Sequence, residues 1–371
     1  MRVAFYAPLK APDHPVPSGD RTMARALLEA LRLAGHDVTQ PSRLRSFLPA
    51  PDARRQSGIA AEARADIGRI SREWNDDEPP EVWFTYHNHY KAPDLLGPDL
   101  ARRFGLIYAV AEASHAAKRA AAWTSWQAAT EAAIRAADLH VCFTARDREG
   151  LAGLLKAGSA VLDLPPFLDA DADLPPAVIC RSRIPRLVTL AMMRPGDKLA
   201  SYRLLAEALA LLAARPWHLD VIGDGPERAA VMTCFAAVLP PGRITWHGAL
   251  DRAAAWRQVA AADVFVWPGF GEAFGLAYLE AQAAGVPVVA LDTAGVNAVV
   301  RHGETGILVE TPTAPAYAAA LLQLMSDGDA LARLGAAGRR FVGEERNLGT
   351  ASAMLDQALR SAVSRRTCRH A

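Results

Sequence analysis

Short apolar runs alternate with longer amphipathic stretches along almost the whole chain. "RVAFYAPL" (2–9) is β-branched and aromatic and reads as a strand that ends in a Pro-rich loop. The following "SGDRTMARALLEALRLAGHDV" places Met23, Leu27, Leu28 and Leu31 at helical spacing, with Gly35 as a stop. "EVWFTYHN", "GLIYAVAEA" and "DLHVCFT" are further strands, separated by Ala-rich helical stretches such as 116–137. This alternation predicts an α/β class with a parallel sheet covered by helices.

The pattern breaks at "DLPPFLDADADLPPAVICRSRIP" (163–185), which is dense in Pro and Asp and lacks a period. It reads as a linker. Its "DADAD" lacks the Gly and distal Glu of a calcium loop, so it reads as an exposed acidic stretch. Alternation then restarts: "RLVTLAMM", helix 198–214, "HLDVIGDG", helix 226–238, "RITWHGAL", helix 251–261, "DVFVWPG", a helix within 271–285, "PVVALD", a short helix and "GILVE". The expected organisation is two Rossmann-like units facing across a cleft: 1–167, a linker at 168–185, and 186–345. A C-terminal helix at 346–371 packs back on the first unit and ends in a frayed "SRRTCRHA".

Composition narrows the chemistry. With 51% hydrophobic and 22% charged residues the chain is globular, and a formal net charge of +1 gives no reason to expect nucleic acid as a partner. Cys142, Cys180, Cys234 and Cys368 are scattered without metal spacing, as in a reduced, cytoplasmic protein. The N-terminus lacks a signal-peptide core, and no stretch of 18 uninterrupted apolar residues exists. Arg43, Arg45, Arg54, Arg55, Arg64, Arg69 and Arg72 suggest an anionic acceptor or a peripheral contact at the inner face of a membrane. The interspersed Asp52, Glu62, Asp66 and Glu73 favour a solvated helix face.

Several chemistries lose their support. Neither β-to-α turn that would carry GxGxxG does so: "KAPDHPVPSGD" holds one Gly and "GDGPE" two before the helix. No GxSxG elbow or HExxH occurs. His87 and His89 alternate in "TYHNHY" and point the same way, but with no third ligand they read as orienting or acceptor-contacting residues, and no metal site is assigned.

What survives suits a phosphorylated, hydroxyl-rich ligand. "MMRPGDKLASY" follows a strand and precedes a helix, so Arg194 and Lys198 are suited to a diphosphate, one as a fork and one as a point charge. A surface pair balanced by acids such as Asp197 fits the local residues equally. Ser18 and Gly19 open the first helix, where a good N-cap and an anion site read alike. In "GEAFGLAYLEAQAAGVPVVA" (271–290), Glu272 and Glu280 are separated by seven residues. On a helix they lie at most ~12 Å apart, about the reach from one hydroxyl-rich ring across a diphosphate to another. Carboxylates accept hydrogen bonds from sugar hydroxyls, and helix amides around Ala273 to Gly275 suit phosphate or sugar oxygens.

With these residues in view the chain resembles glycosyltransferase family 4, retaining enzymes with the GT-B fold. "VTLAMMRPGDK", "VIGDGPE", "ITWHGAL" and "ADVFVWPGFGEAFGLAYLEAQAAGVPVVALDTAGVNAVVRHGETGILVE" carry the resemblance, with "PSGD" and "EASH" matching more loosely. It implies a nucleotide-diphosphate sugar (UDP- or GDP-linked) as co-substrate, with no further cofactor and no metal. The acceptor is left open among carbohydrate, lipid-linked and small-molecule classes. It implies catalytic roles for Arg194 and Lys198 on the diphosphate, Glu272 on the donor sugar and His115 on the transferred sugar. Glu280 would bond the ribose, and Ala273, Phe274, Gly275, Leu276, Gly223, His247, Ser18 and Gly19 would line the donor. The chain departs from the pattern at Ala273 and Leu199, where glycine is usual, and near Ala298, where an acid is usual. Alternatives are a GT-B-type nucleotide-sugar epimerase or hydrolase, and a non-catalytic sugar-nucleotide-binding protein.

Overall fold

The first apolar run forms β1 (Arg2–Tyr6) and stops before Pro8, which has no N–H for a ladder. Helix α1 (Gly19–Leu33) follows, with Ser18 Oγ accepting from Arg21 N at 3.2 Å as its N-cap. Its Met23, Leu27, Leu28 and Leu31 are buried, each Leu contributing about 1.5–3 kcal/mol by leaving water. Then come β2 (Asp37–Thr39), α2 (Ala53–Asp76), β3 (Val82–Tyr86), α3 (Gly97–Phe104) and β4 (Ile107–Ala111). The set continues with α4 (Thr124–Ala136), β5 (Leu139–Cys142), α5 (Ala145–Leu151) and β6 (Ala160–Asp163).

The computed structural model describes residues 1–115, 123–169 and 184–370, and of 367–370 only the backbone. The expected linker falls mostly outside the described residues, as do the start of the helical stretch at 116–137 and Cys180. The chain divides into two units, Met1–Pro165 with Leu348–Ala371, and Pro166–Asn347. The first holds a parallel sheet in the order β2-β1-β3-β4-β5-β6.

The second unit contains β7 (Arg186–Leu190), α6 (Asp197–Leu211), β8 (His218–Ile222), α7 (Arg228–Ala236), β9 (Ile244–Gly248) and α8 (Arg252–Ala260). It goes on with β10 (Val264–Val266), α9 (Leu276–Ala283), β11 (Val288–Leu291), a 3-10 turn at Val296–Ala298, β12 (Gly306–Val309), α10 (Ala314–Met325) and α11 (Gly328–Glu345). Its parallel sheet runs β12-β11-β10-β7-β8-β9. Val188, Phe265, Val289 and Leu291 are fully buried, as strands covered on both faces require. The last helix, α12 (Leu348–His370), belongs to the first unit and packs on α1.

Three boundaries differ from the sequence reading. Strand β3 ends at Tyr86 because His87 takes a left-handed φ of 66°, and β4 ends at Ala111 because Glu112 does so at 50°. Helix α9 starts only at Leu276, so Glu272 belongs to the loop before it and the helical estimate of the Glu272-to-Glu280 span does not apply.

On α2, Arg54, Arg55, Arg64 and Arg72 are exposed, while Arg69 pairs with Asp66 and Glu73. Opposite charges thus meet along a solvated face. Among the described residues no helix is long and apolar enough to cross a membrane.

Candidate active site

In an open parallel sheet, ligands bind beyond the carboxyl ends of the strands where the strand order reverses. In the second unit that point lies between β7 and β10, because the chain builds outward through β8 and β9 and then returns to the other side of β7. The β7–α6 loop carries Arg194, the first turn of α6 carries Lys198, and the β10–α9 loop carries Glu272. Topology thus brings together residues 74 positions apart: Lys198 Nζ donates directly to Glu272 Oε1.

The pair is built in from several sides. The indole N–H of Trp267 donates to the same Glu272 oxygen at 2.9 Å, and Lys198 Nζ lies 5.4 Å from the centre of that ring. Trp267 is itself fixed by a T-shaped contact with Tyr202 at 4.8 Å, and its carbonyl accepts from Tyr278 Oη at 3.1 Å. The loop is tied to α6 by Phe270 N donating to Ser201 Oγ at 2.9 Å. Gly275 caps α9 at φ 81°, and a Cβ there would lie 2.6 Å from the Tyr278 ring. Trp267 was not singled out in the sequence, since an aromatic at a strand end reads first as core.

Arg194 is solvent-exposed, in the loop four residues before Lys198. Ala273 is exposed, whereas Phe274 and Leu276 are largely buried and belong to the packing of the loop. Ala273 and Phe274 precede the cap of α9, so the helix-terminal amides begin at Leu276 and not at Ala273.

Glu280 occupies a different neighbourhood, facing Arg252 and Trp256 of α8. Burial raises its pKa, against the opposing pull of Arg252 and the Trp256 indole. Gly223 has a packing reason of its own: at φ 142°, a Cβ would meet the Ala191 carbonyl oxygen at 1.9 Å, where the loops after β7 and β8 touch. His247 Nε2 is held 2.7 Å from Oδ1 of the buried Asp220, whose other oxygen accepts from Arg186 at 2.9 Å. Burial would raise the Asp220 pKa, but His247 and Arg186 outweigh it and hold the group low.

The remaining candidates lie in the first unit. Ser18 caps α1, and a Cβ at Gly19 would meet nothing within 4 Å. His115 Nε2 lies 3.0 Å from Glu131 Oε1, and Glu131 also takes hydrogen bonds from Gln127 and Arg135. His87 and His89 do face the same way, with ring centroids 4.7 Å apart. Among the described residues no three His, Cys, Asp or Glu side chains converge as a metal set.

Two parallel six-stranded sheets with charged side chains at their strand ends define a GT-B architecture, and solved structures share it along almost the whole chain. Sucrose-phosphate synthase from Thermosynechococcus elongatus aligns with a TM-score of 0.76 at 20% identity, covering 98% of this chain and 100% of that one. HepE from Anabaena, in complex with UDP-glucose, aligns with a TM-score of 0.72 at 14% identity, covering 97% and 100%. Residues 184–327 match the family described as Glycosyl transferases group 1.

In sequence, 193 residues are 31% identical to the GDP-mannose-dependent alpha-(1-6)-phosphatidylinositol monomannoside mannosyltransferase of Mycobacterium tuberculosis. That match covers 50% of this chain and 47% of the relative, so the chain spans about half of that protein's length. A D-inositol 3-phosphate glycosyltransferase from Thermobispora bispora is 46% identical over 76 residues, 20% of this chain and 18% of the relative.

Proposed function

We propose that this chain is a retaining glycosyltransferase that moves a sugar from a nucleotide-diphosphate donor to a hydroxyl acceptor. The observation that carries the reading is the Lys198–Glu272 pair at the strand-order reversal of the second unit, with exposed Arg194 in the loop that leads to Lys198. A diphosphate arriving there replaces Glu272 as the anionic partner of Lys198. Glu272, still held by Trp267 N–H, then turns its lone pairs to the donor sugar hydroxyls. The nucleoside is uridine or guanosine: one relative is named GDP-mannose-dependent and one structural neighbour is a UDP-glucose complex.

In the reaction the bond from the anomeric carbon to the diphosphate oxygen breaks and its electron pair leaves with the diphosphate. Arg194, Lys198 and the amides at the start of α9 stabilise that growing charge, a preorganised electrostatic contribution. The acceptor oxygen forms its bond on the face from which the diphosphate departs. Its proton passes to the departing diphosphate oxygen, which keeps atoms and charge balanced without a protein nucleophile. Glu280 binds the ribose hydroxyls.

A thermal-shift screen with UDP, GDP, ADP and their sugars, followed by NMR assignment of the product anomer, tests the proposal. One nucleotide at a hundred times its Kd is expected to add about 2.7 kcal/mol of stability, and the product is expected to keep the donor configuration. An inverted product or a trapped glycosyl-enzyme contradicts the mechanism. The absence of any nucleotide shift contradicts the function.

A further inference from the structure

The first unit has its own reversal of strand order, between β1 and β3. The chain leaving β1 reaches Asp20 in the first turn of α1, and the residue directly after β3 is His87. Glu112 directly follows the next strand, β4. His87 Nδ1 lies 3.2 Å from Asp20 Oδ1 and 3.8 Å from Glu112 Oε2. Three ionisable side chains from separate segments therefore meet where ligands of open α/β sheets bind.

Two features separate this cluster from a structural ion pair. His87 and Glu112 both hold left-handed φ angles, 66° and 50°, which non-glycine residues adopt at a cost of about 1–3 kcal/mol. The surrounding backbone enforces them: His87 N donates to Ala111 O, Glu112 N to Val141 O and Ser114 N to Asn88 O. Second, Glu112 is only 8% exposed and its carboxyl faces the Tyr86 hydroxyl, yet Oε2 itself has no donor within hydrogen-bond geometry, and the buried Nδ1 of His89, near the His87 backbone, has none either. A buried carboxylate oxygen left without a donor is costly unless something completes it. Asn88, between the histidines, bonds Thr130 and Asp94, which leaves His87 and His89 turned to the opposite side.

We propose that the Asp20–His87–Glu112 cluster is the acceptor site and that it receives the hydroxyls of a neutral polyol, such as a sugar or cyclitol ring, and not a phosphate. The word acceptor rests on the transferase reading; the polyol site rests on the cluster. A hydroxyl donates to Glu112 Oε2 and accepts from or donates to His89 Nδ1, completing both orphaned atoms. A phosphate is an anion and would bring its charge against the acids Asp20, Glu112 and nearby Asp147, with the His87 Nδ1 edge already turned to two of them. Lys10, the other cation near Asp20, directs its Nζ to the Val16 carbonyl at 3.4 Å.

The experiment follows the His87 imidazole by NMR in the full chain, with the resonance assigned by His87→Asn. The titrants are myo-inositol, glucose, myo-inositol 3-phosphate and inorganic phosphate at constant ionic strength. A saturable His87 shift is expected with myo-inositol or glucose, and no saturable shift with inorganic phosphate. Glu112→Gln, which keeps shape but loses charge, should bind the same polyol about tenfold more weakly; Asp20→Asn serves if that variant does not fold. Silence at His87 with both polyols, saturation by inorganic phosphate, or full-strength polyol binding in the variants overturns the site. Nucleotide binding is read separately by thermal shift. Polyol binding without nucleotide binding sinks the transferase reading and keeps the site, whereas nucleotide binding with a silent His87 does the reverse.

Discussion

Both units place an acid–base pair where their strand order reverses, yet the two pairs are built differently. In the second unit, Lys198 and Glu272 sit on long side chains, 27% and 16% exposed, and their loop turns on glycines. Their mutual contact is one a polyanion can replace. In the first unit, His87 and Glu112 hold left-handed backbone without being glycine, and Glu112 is nearly enclosed. That site offers hydrogen-bond acceptors in a low-dielectric setting, where a second charge is costly and a hydroxyl is not. The same sheet geometry thus carries a partly exposed ion pair in one unit and a nearly enclosed cluster in the other.

The largest effect should come from removing the cation of the open pair. Lys198→Ala is expected to lower kcat by about 10²–10³. Glu272→Gln added to it should cost less than it does alone, because the two side chains act as a unit. Steady-state transfer assays decide this, and a loss below about threefold in Lys198→Ala would remove the pair from the chemistry.

A smaller effect separates the sites by pH. Burial alone would lower the His87 pKa, but Glu112 and Asp20 outweigh it and raise it to about 9. Burial would raise Asp20, but His87 holds it at about 2. For Glu112, burial wins over His87 and raises its pKa to about 7. The signs follow by linkage. Stability from His87 is complete below its ordinary value of about 6.5 and is lost as pH rises through about 9. Glu112, also raised, loses stability in the same direction between its ordinary range and about 7. Asp20 contributes above its ordinary range and loses that contribution only as pH falls towards 2. Denaturant unfolding of the wild type should therefore show falling stability from pH 6.5 to 9. The double variant His87→Asn, Glu112→Gln should be markedly flatter there. An equal slope in both would place the titrating groups elsewhere.

What could be read in the sequence follows how local each feature is. The two α/β units were legible because strand and helix periods are properties of neighbouring residues. Lys198 and Glu272 stood out as candidates, since a cation after a strand and an acid beside glycines are local signs. That they touch each other was not, because only the return of β10 to the side of β7 brings them together. Trp267 as a partner of Glu272 was hidden for the same reason.

Likewise His87 and His89 stood out by their alternation, while Asp20 and Glu112 lay unremarked in "PSGD" and "EASH". Their convergence depends on the order of β1, β3 and β4, and on two backbone conformations that non-glycine residues rarely show. The start of α9 was misplaced because Gly275, and not Glu272, sets the cap.

On the proposed reading, nucleotide binding belongs to the second unit's site and not to the first's. Isothermal titration of the nucleoside diphosphate that stabilises the wild type, UDP or GDP, against Glu280→Gln and His87→Asn tests it directly. Glu280→Gln is expected to weaken Kd about tenfold, equal to ~1.4 kcal/mol, with His87→Asn within about twofold of wild type. An unchanged Kd in Glu280→Gln, or a loss confined to His87→Asn, would contradict the account.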